Sequence, residues 1–522
     1  MRWSGLGDPC GSLRVFYREK RNRSGSVSVQ VLEKRGRKNI LVCSIGSAKE
    51  QADIHDLKER ASRFIAQRTG QQGLDLHLQD EQDRFDATFK SIGDVILLGP
   101  ELVLGRLFEQ IGFGAVPDEM FRHLVLSRIM HPCSKLKTVR YLQEQRRTQM
   151  HVQEIYRYMD ELSSTHKQQV EQISHAHSMR VLGGTLSAVF YDVTTLYFEA
   201  EQPDDLRIPG YSKDGKHNDP QVLLGLLVGA GGYPLAYDIF KGNTFEGHTM
   251  IPVIERFKQR FGAGSLVVVA DAGLLSRANM DALHRAGHQF ILGARLRGEK
   301  DATKQAILNN RYIQDAPQEI LREDGLRLVV SYSQGRAAKD KHNRERALAR
   351  LQRAVQGGKL TKANINNRGY NKFLRMQGLL EVSIDNEKLK EDARWDGLKG
   401  YLTNTTIPAQ ELIDNYKHLW AIEQAFRISK TDLRVRPVYH RLQRRIEAHI
   451  CICFSAYQVY KELQRQLFQN QCGLSAERAI ECLATVYGIT IHDQTSGRSQ
   501  TRILAKTQDQ QLLLRTFGID FG

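Results

Sequence analysis

Between residues 184 and 298 the chain is written in short apolar blocks separated by turn formers, and the blocks change period along the way. The segments 188–198, 221–229 and 233–240 are β-branched, aromatic and apolar runs of strand length. After them apolar spacing of helical type (246–261 and 276–286) alternates with two more strand-like runs (265–271 and 288–295). Three strands followed by alternating helices and strands predict an α/β sheet that begins with a meander. If the first strand lies beside the fourth, the residues at one end of both become neighbours.

The flanking regions read differently. Residues from about 13 to 46 predict a small sheet in which 27–32 and 39–43 flank a Lys–Arg–Gly–Arg–Lys turn as a hairpin, followed by a helix over 48–70 and a polar linker over 71–90. Spacing from 94 to 181 is almost wholly helical. Residues 299–400 interrupt the α/β pattern with a strand at 327–332, a charged helix over 337–355 and a strand pair around 378–384 and 397–403. Helical spacing resumes before 423 and continues after 441, with a polar tail near 493–509. The domain boundaries that follow are 1–90, a helical region at 91–183, a core from 184–298 and 401–465, a strand-rich insertion at 299–400 and a helical region at 466–522.

Three acids stand out against this pattern. Asp192 sits inside the first apolar strand, Asp271 ends the fourth, and Glu423 lies in a helical segment. A carboxylate within a buried strand is costly unless something pairs with it. Two on neighbouring strands, joined by a third from a helix, make an oxygen cage for hard divalent cations. That predicts two-metal phosphodiester chemistry, with Asp192 shared between two Mg²⁺ ions and Mn²⁺ as an acceptable substitute. Tyr416, Glu423 and Lys430 recur every seven residues, which predicts one stripe along a single helix. Arg427 shares that neighbourhood.

Charge narrows the partner. The 522 residues carry a formal net charge of +16, which favours a polyanion. Charge alone does not separate a nucleic acid from a membrane surface, but the basic residues are spread over several segments, which suits a long groove and favours nucleic acid. Candidates for phosphate neutralisation are Arg434, Arg436, His440, Arg441, Arg444 and Arg445. A second cluster, Arg122, Arg128, Lys135, Lys137, Arg140, Arg146 and Arg147, reads equally well as a solvated helical surface or as a DNA-contacting one. No apolar run approaches membrane-helix length, and the first residues lack a signal-peptide core. The seven scattered cysteines form no CxxC pair. Together these predict reduced thiols, a cytoplasmic location and no membrane partner.

The three acids on strand, strand and helix, with an insertion before the third, resemble the DDE transposases of bacterial insertion sequences. More narrowly, the chain resembles the insertion-sequence-four-like group, whose Tyr-x2-Arg-x3-Glu-x6-Lys signature falls on Tyr416, Leu419, Glu423 and Lys430. Leu419 stands where the group has arginine. The segments 191–195, 210–216, 241–246, 270–273, 422–427 and 434–440 are also similar to family segments. The resemblance implies an RNase H-like catalytic core and a protein that binds inverted-repeat ends, cleaves DNA and joins 3′-hydroxyl ends to target DNA. It also implies phosphate contacts by Tyr416 and Lys430, and DNA contact by Lys213 and Lys216 of the 210–216 loop. An aromatic of the insertion, Trp395, would hold a flipped base. A homodimer in the synaptic complex and a nucleoid-associated location follow from the same resemblance. Two other readings stay open: a DNA-binding relative impaired in catalysis, favoured only by Leu419, and a stand-alone Mg²⁺-dependent DNA nuclease.

Overall fold

In a computed structural model the described residues are 14–22, 24–69, 89, 91–186, 188–198, 202–211, 218–357, 369–377, 381–436, 438–492 and 498–521. The chain divides into two compact units, one of residues 1–93 with 491–499, the other of 94–490 with 500–522.

In the first unit, strands β1 (Arg14–Arg21), β2 (Val27–Arg35) and β3 (Lys38–Ala48) form an antiparallel sheet in the order β1-β2-β3. Helix α1 (Gln51–Thr69) closes one face of it: Val29 and Val31 of the central strand pack with Leu57 and Ala61. Residues 27–32 and 39–43 thus fall in the hairpin, and β1 completes the small sheet within the span 13–46.

The second unit opens within β4 (Ile92–Leu97). Helices α2 (Arg106–Ile111), α3 (Glu119–Met130), α4 (Lys135–Arg146), α5 (Val152–Glu161) and α6 (Lys167–Val181) follow. Asp118 and Ser134 cap α3 and α4, each accepting a backbone N–H of the first turn. An eight-stranded mixed sheet comes next, with strands in the order β10-β11-β14-β9-β8-β5-β6-β7. Its strands are β5 (Val189–Tyr197), β6 (Gln221–Val228), β7 (Pro234–Lys241), β8 (Val267–Ala270), β9 (Gln289–Ala294), β10 (Gln318–Leu321), β11 (Arg327–Tyr332) and β14 (Leu398–Thr403). Every residue of β6 is buried, which is why it reads as a continuous apolar run rather than an alternating one. β5, β6 and β7 form the antiparallel meander, while β5–β8 and β8–β9 are parallel.

Both faces of this sheet are covered. Helices α7 (Met250–Phe261) and α8 (Arg277–Arg285) pack on one, against Tyr191, Val193, Val268 and Ala270. Residues of the opposite parity, Phe190, Leu196, Val269, Ile291 and Tyr401, face a larger core. Along the chain between β9 and β14 come α9 (Asp301–Asn309), α10 (Gln334–Gln356), strands β12 (Leu374–Gln377) and β13 (Glu381–Ile384), and α11 (Asn386–Ala393), besides β10 and β11 of the large sheet. The larger core is supplied by α12 (Ala409–Lys417), α13 (Trp420–Arg427) and the 27-residue α14 (Gln443–Gln469). Helix α14 is buried on nearly every side along its middle, Cys451 and Cys453 included, and takes His449, Gln458, Lys461 and Glu462 inside with its apolar residues.

Two expectations are corrected. The segments near 378–384 and 397–403 do not pair with each other: β13 pairs with β12, while β14 enters the large sheet between β11 and β9. The C-terminal region is not all helical. After α15 (Ala476–Leu483), strands β15 (Tyr487–His492) and β16 (Ser499–Leu504) form a sheet with β4 before α16 (Gln508–Thr516). These strands are short and largely exposed, so they carry little apolar alternation to read. Among the described residues no helix is long and apolar enough to cross a membrane.

Candidate functional site

Sheet register brings the acids together. Tyr191 of β5 pairs with Ala270 of β8, so the next residues, Asp192 and Asp271, are neighbours on adjacent parallel strands. Adjacent strands lie roughly 4.8 Å apart. Continuing one step across, Ala270 pairs with Leu292, which sets Asp271 level with Gly293 of β9, and Gly293 pairs with Tyr401 of β14. Asp192, Asp271, Gly293 and Tyr401 therefore form one row across four strands. By strand alternation all four point to the side occupied by α12–α14.

Each member of the row has a local reason for its placement. Asp192 is the one half-buried position in an otherwise buried stretch of β5, and its Oδ1 accepts the Val193 N–H at 2.8 Å. Asp271 follows the last residue of β8, and its Oδ1 accepts the N–H groups of Gly273 (2.8 Å) and Leu274 (3.2 Å). That turn ends the strand and fixes the carboxylate. Gly293 leaves room for the Tyr416 hydroxyl: a Cβ there would lie 2.5 Å from the Tyr416 Oη and 2.9 Å from the Ala272 nitrogen. The phenol thus reaches the tip of β8 from the end of α12. Burial, then the charge of Asp271, with smaller contributions from Tyr401 and Glu423, pushes its pKa well up, so it is a protonated donor at neutral pH.

Glu423 projects from α13, which packs its Ala421, Ile422, Ala425 and Phe426 into the core and leaves Glu423 exposed. Its charge is felt at Tyr416 and at Lys399. Lys399 escaped the sequence reading. It sits on β14 two residues before Tyr401, on the same face, with its Nζ 4.4 Å from the Tyr416 ring centroid and 5.4 Å from that of Tyr401. Burial and the nearby Arg336 lower its pKa, while Glu423 opposes them. A lone lysine at the start of a weak strand pattern gives no signal; only the pairing of β14 with β9 brings it here.

The seven-residue stripe is broken. α12 ends at Lys417, His418 and Leu419 form a tight turn with i→i+3 bonds (Leu419 N–H to Tyr416 O at 3.0 Å), and α13 passes into a π-helical turn, Ile428–Asp432. A single straight helix is therefore not what presents these residues. Tyr416 is buried, Glu423 exposed, and the half-buried Lys430 lies 5.6 Å from the Phe426 ring centroid. Leu419, at the position where an arginine was expected, is 8% exposed and belongs to the main core.

The remaining candidates scatter. Arg427 acts electrostatically on Asp432, Glu477 and Tyr460, three groups other than the row of acids. Arg434 is exposed with a left-handed backbone (φ 43°), and Arg436 lies 5.3 Å over the Tyr197 ring at the far end of β5. Arg444 and Arg445 both clamp Asp160, at 2.9 and 2.8 Å. Trp395 is half-buried against Leu296, Leu328 and Leu398, and borders a cavity of about 320 Å³ with Arg297, Arg336 and Arg344. Lys213 and Lys216 lie outside the described residues.

Three carboxylates of this kind are the hard oxygen donors a divalent cation prefers. Among the described residues no three such side chains come within reach of one ion.

A family model described as Transposase DDE domain matches residues 184–459, more than half of the chain. The chain is also similar to the piggyBac transposase seen by cryo-electron microscopy in a synaptic complex with hairpin DNA. Identity there is 8%, over 74% of this chain and 79% of that one, with a TM-score of 0.38. A comparison with curated proteins gave no match.

Proposed function

Because the chain belongs to the transposase DDE domain family, we propose that Asp192, Asp271 and Glu423 are its three catalytic carboxylates, set on an RNase H-like core. The observation that carries this reading is the β5–β8 register, which makes Asp192 and Asp271 neighbours facing the helix that bears Glu423. These acids would hold two divalent cations, Mg²⁺ in the cell, with Asp192 common to both. Bound there, such ions supply Lewis-acid activation of a water or 3′-hydroxyl and neutralise the leaving 3′-oxygen.

The chain's own residues position the substrate strand. Tyr416 presents a protonated phenol beside Asp271, suited to donate to a non-bridging phosphate oxygen. Lys399 holds a cation between Glu423 and Tyr416. Lys430 and Arg436 extend positive charge from the helix bearing Glu423 toward the far end of β5. The substrate in this reading is the inverted-repeat end of an insertion element of the insertion-sequence-four-like group. The product is that end joined through its 3′-hydroxyl to target DNA, with two protomers holding two ends.

The test incubates the full chain with labelled element ends and an unlabelled plasmid, in Mg²⁺ or EDTA, beside Asp192→Asn. Cleavage and label transfer in Mg²⁺ alone, absent in Asp192→Asn while end binding persists, is the expected result. Cleavage without joined product identifies a nuclease instead. Cleavage surviving in Asp192→Asn removes the carboxylate assignment.

A further inference from the structure

The basic cluster over 122–147 separates into distinct groups once folded. Arg122 and Arg146 are neutralised by Glu101, at 2.7 and 2.8 Å. Lys137, Arg140 and Arg147 are exposed. Arg128 of α3 and Lys135 in the first turn of α4 are neither: they are 6% and 5% exposed, and among the described residues neither makes an ion pair or a side-chain hydrogen bond. Buried cations are ordinarily paired.

The groups around them are also basic or neutral. His449 of α14 and His440, in the segment before it, have ring centroids 5.4 Å apart, and both feel the charges of Arg128 and Lys135. His449 bonds the Val435 carbonyl through Nε2 at 3.0 Å, which leaves a buried Nδ1 with no partner. The thiols of Cys133 and Cys453 are the other titratable neighbours of Lys135. Tyr156 lies against the His440 ring. Asp160, the acid on this side, is committed to Arg444 and Arg445. Lys135 also occupies the N-terminal turn of a 12-residue helix, where the peptide dipoles already favour an anion over a cation. Crowded this way, Lys135 has its pKa lowered to about 7 by burial and Arg128, and His440 to about 3, chiefly by burial.

We propose that Arg128, Lys135, His440 and His449 form a buried oxyanion site that takes a phosphate group, supplied in the working complex by the backbone of bound DNA. The source of the phosphate, though not the site, rests on the transposase reading. One tetrahedral anion answers several observations together: two unpaired cations, an unpartnered imidazole nitrogen that would donate once protonated, and a helix N-terminus. Its rim is accessible, since Ser134, Leu136 and Lys137 on one segment and Tyr439 and Arg441 on the other are exposed. The site is also tied to the strand bearing Asp192. The Val438 N–H bonds the Tyr197 carbonyl at 3.2 Å, roughly 17 Å along β5 from Asp192.

The experiment measures thermal melting of the full chain in inorganic phosphate against chloride at matched ionic strength, for wild type, Lys135→Met and Arg128→Met. Phosphate should raise the wild-type midpoint by a few degrees, and both variants should lose that increment. Lys135→Met should melt no lower than wild type in chloride, because it removes a buried cation at similar volume. A second arm measures the salt dependence of duplex binding. If the occupant is a DNA phosphate, the slope of log affinity against log salt should fall by about 0.9 in either variant. An increment lost with the slope unchanged keeps the site but makes free phosphate its occupant, overturning the DNA assignment. No wild-type increment, or one of equal size in the variants, overturns the site itself. Neither melting result depends on cleavage, so failure of the transposase reading would show separately in the joining assay.

Discussion

Replacing Leu419 by the arginine found in the signature that this segment resembles should damage the protein. Leu419 is 8% exposed, its side chain belongs to the core formed by α12, α13 and α14, and its backbone makes the turn between the first two of these helices. Burial of a leucine is worth about 2–3 kcal/mol. An arginine must either leave that space empty by threading to solvent or bury a charge, so a loss of about 3 kcal/mol is expected. For domains of 150–250 residues each kcal/mol shifts the midpoint by about 2–4 °C, and the shift falls as size grows. In a unit of this length roughly 3–6 °C is expected. Differential scanning fluorimetry of Leu419→Arg, with Leu419→Met as the volume-conserving control, reads this directly. Strand joining should not rise above wild type. An arginine variant that melts within a degree of wild type and joins DNA faster would refute the reasoning, because the side chain at 419 would then face substrate rather than core.

Gly293→Ala should lower joining and also lower the melting midpoint, since the new Cβ evicts the Tyr416 hydroxyl from the tip of β8 and meets the Ala272 nitrogen at 2.9 Å; equal activity would remove Tyr416 from the site. Lys399→Met should slow turnover by roughly 10- to 100-fold, the worth of one charge-assisted contact, with end-binding affinity nearly unchanged; single-turnover kinetics beside a gel-shift titration separates the two. Glu462 provides a pH test. It is 1% exposed, and bonds from His177 (3.2 Å), Arg465 (2.9 Å) and Gln466 (2.8 Å) outweigh burial and hold its pKa at about 2. A depressed folded-state pKa gives stability present above the unfolded value, roughly 4.3, and lost as pH falls toward 2. Glu462→Gln should therefore be less stable at neutral pH, on the order of 2–3 kcal/mol, and should show a flatter midpoint between pH 5 and 2; parallel acid profiles would count against it.

The acids, the order of strands and helices around them and the basic charge were legible without coordinates. Each rests on local composition: a carboxylate in an apolar run is conspicuous because burying it is expensive, and period two or 3.6 survives in any segment with one or two buried faces. Tertiary structure alone decided what pairing and packing control. Register set Asp192, Asp271, Gly293 and Tyr401 in one row, and the crossing of β14 into the sheet delivered Lys399. A tight turn and a π turn broke the heptad stripe and sent Leu419 into the core, because helix periodicity cannot register a change of winding. Among the described residues, burial sorted arginines and lysines of identical sequence appearance into ion pairs, exposed charges and the two partnerless cations Arg128 and Lys135. A charged residue's letter is the same in all three places; its environment, which fixes its energy, comes from chain segments tens to hundreds of residues away.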